Sequence, residues 1–247
     1  MDCITLLGFA ACTLDTEFKQ NLPFSCVDNT PEAIPPLLRR RSSQAMQLAF
    51  SAANAACGQT GRTPAALPAI FASVAGEIRT TDQLCGELAR ADGSVSPSAF
   101  HNSVQNTVAG YWSIVHRCRQ PATALAAGAN TIAMALLEAW CQLACQGGEL
   151  LLVCYDEDWP AHLAPDGGKP GFACAMVLAA GDAENGILRI GRPYPGANQP
   201  AAEWERMPVL AAIPLLTLAG SGQIPRETQV PLGREWWVIA HDCGKIA

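Results

Sequence analysis

From Leu150 to Tyr155 the sequence reads LLLVCY, an apolar and aromatic run with no polar alternation. A strand of that kind is buried on both faces, so the chain must supply helices above and below it. The flanking segments are built to do so. Ile4 to Ala10, Leu67 to Val74, Ala122 to Leu125 and Gly171 to Ala180 are further strand candidates, and helix-patterned stretches stand between them. The first such stretch can be capped by Ser42 or Ser43, repeats Met46, Phe50 and Ala53 at helical spacing, and stops at Gly58. Thr80 to Arg90 reads as a second helix. Pro97 opens a third, in which Phe100 to Arg117 places Val104, Val108, Tyr111, Trp112 and Val115 on one side. A fourth, long helix leaves the small residues Ala126 to Gly128 and ends near Cys145, with Gly147 and Gly148 as its stop.

Alternation of this kind predicts an α/β fold with a mostly parallel, mixed sheet of about five strands between helices. Residues 13 to 36 read as loop. After Gly181 the pattern loosens. Gly186 to Arg192 and Trp236 to Ala240 are strand candidates, and Trp204 to Gly220 is apolar but broken by prolines. One domain over residues 1–247 is expected, with a core of about 1–180 and an irregular extension over 181–247.

Charged residues make up only 15 %, which points to a surface partly covered by another subunit. Sixteen Lys and Arg against 22 Asp and Glu leave a net charge of −6, which argues against nonspecific nucleic-acid binding. The N-terminal MDCITLLGFAACTLD carries Asp2 where a secretory signal has Lys or Arg, and no run is long enough to span a membrane. Eleven cysteines form no Cys-x-x-Cys, and the four histidines have no ligand spacing. Cys141 and Cys145 lie one helical turn apart with no other ligand nearby, and Cys154 and Cys174 sit in apolar runs. Both pairs read as core filling. A reduced, cytoplasmic protein with no metal and no cofactor is expected.

Other charged and aromatic features have ordinary readings. Arg39 to Arg41 forms a surface cluster or, alternatively, a contact for an acidic partner. His116 reads as solvated, and Asp156, Glu157 and Asp158 read as a solvated loop. Trp236 and Trp237 face opposite sides of a strand, one toward the core.

Two blocks carry a resemblance: SPSAFHNSVQNTVAGYWSI, Ser96 to Ile114, and PATALAAGANTIAMALLEA, Pro121 to Ala139. Together they resemble the N-terminal half of a β-ketoacyl synthase, a thiolase-fold condensing enzyme. In that family a strand ends in a Thr-Ala-Cys-Ala-x-Gly elbow that presents a nucleophilic cysteine at the start of a long helix. Here the elbow reads Thr123-Ala124-Leu125-Ala126-Ala127-Gly128, with Leu125 at the nucleophile position. A leucine forms no thioester, and neither Cys118 nor Cys141 lies where it could substitute. The histidines that assist condensation belong to the family's C-terminal half, and this chain shows no matching segments.

The resemblance covers roughly Ile4 to Ala180 and is most like the short ketosynthase-like chain-length-factor subunits. It implies a half-thiolase fold and a noncatalytic role. The implied partner is a full-length β-ketoacyl synthase, with an acyl carrier protein reached through the complex. The implied setting is an aryl polyene or related type II polyketide or fatty-acid pathway. It also implies a dimer contact along Ala122, Thr123, Ala124 and Leu125, flanked by Phe100, Asn102, Asn106, Tyr111 and Trp112. The alternative is a stand-alone thiolase-like enzyme acting on acyl thioesters through a different cysteine.

Overall fold

The computed structural model describes residues 1–90, 94–164, 168–197 and 207–243. The chain begins with β1 (Cys3–Thr13), then passes through α1 (Thr16–Asn21) and α2 (Pro36–Arg39) into α3 (Gln44–Thr60). It continues through β2 (Ala69–Ala72), α4 (Ile78–Leu88), α5 (Pro97–Asn102), α6 (Thr107–His116) and β3 (Ala122–Leu125). Next come α7 (Thr131–Gln146), β4 (Glu149–Asp156) and β5 (Phe172–Ala180). The remainder holds β6 (Leu188–Gly191), β7 (Tyr194–Pro195), α8 (Ile213–Gly220), β8 (Thr228–Pro231) and β9 (Trp236–Asp242). Trp204, where one predicted apolar segment begins, lies outside the described residues; within that segment a 3-10 helix (Pro208–Ala212) precedes α8.

The expected α/β architecture is present, with two differences in the sheet. It has nine strands among the described residues, in the order β3-β2-β4-β5-β1-β6-β9-β7, with β8 on β9. Only β3–β2 and β2–β4 are parallel; every other pairing is antiparallel. The parallel strands β2, β3 and β4 follow one another through helices. Among the described residues no helix stands between β4 and β5, and without such a crossover two successive neighbours pair antiparallel. The extension also departs from expectation. It adds strands to the same sheet, because β6 pairs with β1 and β9 pairs with β6.

The all-apolar strands are buried on both faces, as their composition requires. On one face Ile70, Leu152, Cys154, Met176 and Leu178 pack with α7, α8 and the 3-10 helix. On the other, Phe71, Leu151, Val153, Tyr155 and Val177 pack with α3 and α6. A bulge in β1 between Leu6 and Gly8 switches its phase: Ile4 and Leu6 face the first layer, and Ala10 and Cys12 the second. Gly8 is required there, since a Cβ would come within 2.5 Å of Thr60 Cγ2 at the end of α3.

Helix boundaries follow local chemistry. Ser43 caps α3 by accepting from the Met46 amide at 3.0 Å, and Gly61, in the left-handed region, ends it. Asp15 caps α1, a helix in the stretch expected to be loop. The single helix expected from Phe100 to Arg117 is two, broken between Asn102 and Thr107. The break shifts the helical phase, so Val104, expected on the buried side, is exposed. No helix among the described residues is long and apolar enough to cross a membrane.

Candidate functional site

Among the described residues the short strand β3 lies at one end of the sheet and pairs only with β2. Pro121 C=O accepts from the Ala69 amide and Leu125 C=O from the Ser73 amide, each at 3.0 Å. Alternation along a strand then turns the amide and carbonyl of Ala122 and Ala124 toward the open edge. An edge with free ladder groups is a template for another strand. Helices flank it: α6 packs beside β3, and Gln142 of α7 donates from Nε2 to Thr123 Oγ1 at 3.2 Å.

Beyond β3 the chain turns into α7 through a single 3-10 turn, Gly128–Asn130. Gly128 takes a positive φ of 56°, and Thr131 Oγ1 ties the turn by donating to Gly128 C=O at 2.7 Å and accepting from the Ala127 amide at 3.1 Å. Thr123, Ala124 and Leu125 are half-buried, while Ala126 and Gly128 are exposed. The Leu125 side chain packs against the α7-side core. An alkyl group therefore occupies this bend, with no nucleophilic atom at that position.

The flanking residues separate into two groups. Phe100 is 63 % exposed, and Asn106 is exposed at the start of α6 without a side-chain cap. Asn102, Tyr111 and Trp112 lie inside, so they have no surface to give a partner. Asn102 Nδ2 donates to Arg41 C=O at 3.0 Å, and Tyr111 Oη donates to Asn102 Oδ1 at 3.1 Å. Trp112 is fully buried edge-on to Phe50, with ring centroids 5.1 Å apart. Tyr111 and Trp112 share the buried face of α6 with Val108, the side that their helical spacing gives. Ile114, 64 % exposed on α6 beside β3, was not singled out from the sequence, although a lone apolar residue opposite the buried face of a helix marks such positions.

Three ordinary readings also change: Cys141 and Cys145, expected as core filling, are exposed on α7. His116 is half-buried, its ring 4.0 Å from that of Trp112, and burial pushes its pKa down. Asp156 and Glu157 are not solvated: they sit buried at the end of β4, and Asp158 meets the Arg79 guanidinium. Of the tryptophans, Trp236 packs on the core, and Trp237 Nε1 donates to Ala197 C=O at 3.1 Å.

All eleven cysteines are free. Each thiol whose pKa is displaced is displaced upward. Burial pushes Cys12 up to about 12, and Cys26 and Cys57 each up to about 11. Burial also raises Cys3 and Cys243, and the Cys174 thiol raises Cys154. Among the described residues no group of His, Cys, Asp and Glu has the arrangement of a metal site.

No curated protein matches the chain. Solved structures share its fold. A ketosynthase (ApeO) in complex with its chain length factor (ApeC) from Xenorhabdus doucetiae aligns at TM-score 0.71 and 19 % identity, covering 97 % of this chain and 99 % of that one. The ishigamide ketosynthase/chain length factor aligns at TM-score 0.59 and 15 % identity, covering 76 % and 65 %. A type II acyl-carrier protein in complex with its ketosynthase (AntDE:AntF) aligns at TM-score 0.71 and 8 % identity, covering 98 % and 99 %. A family model described as beta-ketoacyl synthase, N-terminal domain, matches residues 16–215, a span that runs from α1 into α8 and contains both β3 and the bend after it. The chain belongs to the beta-ketoacyl synthase N-terminal domain family.

Proposed function

We propose that this chain is a noncatalytic, chain-length-factor-like subunit that heterodimerises with a full-length β-ketoacyl synthase and shapes acyl-chain elongation. The observation that carries the reading is Leu125. It stands at the family's nucleophile position, on a bend that is otherwise well formed, and a hydrocarbon there accepts no acyl group. The fold shared with a ketosynthase–chain length factor complex supports the same role. The pathway class is type II polyketide, aryl polyene or related fatty-acid synthesis, with an acyl carrier protein engaged through the complex.

The partner contact runs along β3. Ala122 and Ala124 offer the free ladder groups, Thr123 and Leu125 hold the strand to its own sheet, and Phe100 on α5, Asn106 at the start of α6 and Ile114 on α6, the helix packed beside β3, are exposed. Asn102, Tyr111 and Trp112 support that surface from within. Exposed apolar side chains on the helices near an open strand edge fit a face that a partner covers.

Co-expression with a full-length β-ketoacyl synthase, followed by affinity capture of one partner and size-exclusion chromatography, tests the proposal. A stoichiometric complex that accepts a carrier-bound acyl group only on the ketosynthase is expected. A monomer that passes the ketosynthase by, or a thioester formed on this chain, would overturn it. The second reading, a stand-alone enzyme using another cysteine, is disfavoured at Cys3, Cys12, Cys26, Cys57, Cys154 and Cys243, whose thiol pKa values are raised.

A further inference from the structure

Carboxylates are almost never fully buried unless a cation or several donors meet them. At the ends of β2 and β4, three are buried together: Glu77 is 2 % exposed, and Asp156 and Glu157 are each 1 % exposed. They join segments far apart in sequence. Asp156 Oδ1 accepts from Ser73 Oγ at 2.7 Å and from the Val74 amide at 3.0 Å, and the amides of Ala75 and Val209 face the same carboxylate. Glu157 Oε1 accepts from the Arg79 amide at 3.0 Å in the first turn of α4, and the Ala45 amide in the first turn of α3 faces it as well. Glu77, the residue before α4, faces the Ser43 hydroxyl that caps α3. Yet Glu77 Oε1 and Asp156 Oδ2 are buried with no hydrogen bond of good geometry. An ionised oxygen so placed loses its hydration without replacement, whereas a protonated acid loses far less.

We propose that Glu77, Asp156 and Glu157 form a proton-operated latch: protonated, it clamps the loop after β2, the starts of α3 and α4 and the 3-10 helix at Pro208–Ala212 onto the end of the sheet, and deprotonated, it lets the loop and the 3-10 helix loosen.

The groups facing the latch pull both ways: the hydrogen-bond donors favour the ionised form, and burial, the largest effect, outweighs them. Tyr155 of β4 lies beside all three carboxylates, Cys154 lies near Asp156, and Glu77 and Glu157 repel one another. Asp158 adds a further negative charge near Glu157. Arg79 of α4 is the cation beside the cluster, but its guanidinium is turned onto the Asp158 carbonyl and carboxylate. The donors from α3, the loop after β2 and the 3-10 helix are amides and hydroxyls without charge.

Burial pushes Glu77 up to about 7 and Asp156 up to about 6, and it raises Glu157. A carboxylate raised in the folded state stabilises most below its unfolded pKa, and this stabilisation is lost as pH climbs through the folded value. The latch is therefore tightest in acid and loosens as pH climbs from the ordinary carboxylate range through about 7. It reaches the bend mechanically, since the Ser73 amide holds Leu125 C=O.

Hydrogen–deuterium exchange on the full chain, corrected for intrinsic rates, tests the latch at about pH 5.5 and about pH 8. Protection over residues 73–79 and 207–212 should fall by roughly tenfold or more at the higher pH, and Glu77→Gln should abolish most of that fall. Equal protection of the wild-type segments at both pH values, or an undiminished fall in Glu77→Gln, would overturn the proposal. If Glu77→Gln does not fold, infrared spectroscopy of the wild type decides. A protonated carboxyl band near neutral pH that disappears above about pH 8 supports the latch, and absence of the band refutes it.

Discussion

Ser73 and Asp156, 83 residues apart in sequence, meet side chain to side chain at 2.7 Å at the ends of adjacent parallel strands. Both are buried. The same serine hydroxyl accepts from the Gly76 amide at 2.7 Å, its carbonyl accepts from Gln105 Nε2 at 2.9 Å, and its amide holds Leu125 C=O. One small residue thus joins the end of β3, the α5–α6 junction and the acidic end of β4.

Ser73→Ala removes the hydroxyl and leaves two buried groups short of a partner, Asp156 Oδ1 and the Gly76 amide. Leaving buried polar groups unsatisfied costs about 1–3 kcal/mol, so the variant should unfold at correspondingly lower denaturant. Chemical denaturation followed by circular dichroism measures this, and a midpoint equal to wild type would show that the junction carries no energy.

Ala124→Pro separates folding from assembly. Ala124 turns its amide to the open edge, so proline deletes an outward donor and leaves the β2–β3 ladder intact. The variant should keep the wild-type circular dichroism spectrum and lose most of its capture of a ketosynthase in a pull-down. Undiminished capture would move the partner surface away from β3.

Much of this arrangement was legible in the sequence. β3 falls on Ala122–Leu125 as expected, and α7 stops at Gly147, because short apolar runs and glycines act locally. The sense of the sheet was not legible. Between β4 and β5 the chain reverses with no crossover helix among the described residues, and hydrophobic pattern alone does not report strand direction. Nor was the interior position of Asp156 and Glu157. An acidic run after an apolar strand looks solvated until the starts of α3 and α4 and the Val209 amide converge on it from distant parts of the chain. Trp112 lies on the buried side its helical spacing gives, whereas the break before Thr107 turned Val104 outward, a change of helical phase that composition does not reveal.

The Arg62–Glu149 pair should matter little despite its good geometry. Arg62 Nε and a terminal nitrogen donate to the two carboxylate oxygens at 2.9 Å and 2.6 Å, and Arg62 holds Glu149 below the usual carboxylate range. A lowered carboxylate contributes above its unfolded pKa and loses that contribution as pH falls through the folded value. Both side chains remain about a third exposed, so solvent screening limits the loss in Arg62→Met to about 0.2–1 kcal/mol. Denaturant midpoints at low and high salt check this, and a larger loss would mean the stem of Arg62 packs as well as pairs.

Alkylation by iodoacetamide distinguishes the two functional readings. Cys85, Cys141 and Cys145 are exposed and should react first, whereas Cys12, Cys57, Cys154 and Cys174 are buried and should stay unmodified in the folded chain. Peptide mapping over a time course resolves each site. A single thiol alkylated far faster than glutathione would mark an activated nucleophile and favour the stand-alone enzyme.

Leu125→Cys places sulfur at the bend and asks how much more a condensing site needs. The side chain at this position packs toward the α7-side core, and the helix after it begins only at Thr131, beyond the turn tied by Thr131 Oγ1. The new thiol would be partly shielded by apolar neighbours, with no described histidine hydrogen-bonded to the bend to take its proton. Burial without an adjacent base raises a thiol pKa and suppresses attack. Intact-mass spectrometry after incubation with an acyl thioester should therefore show no stable acyl adduct on Leu125→Cys within the time a catalytic ketosynthase is fully acylated. Rapid, stoichiometric acylation at position 125 would show that this chain retains the remainder of the nucleophilic machinery and lacks only the sulfur.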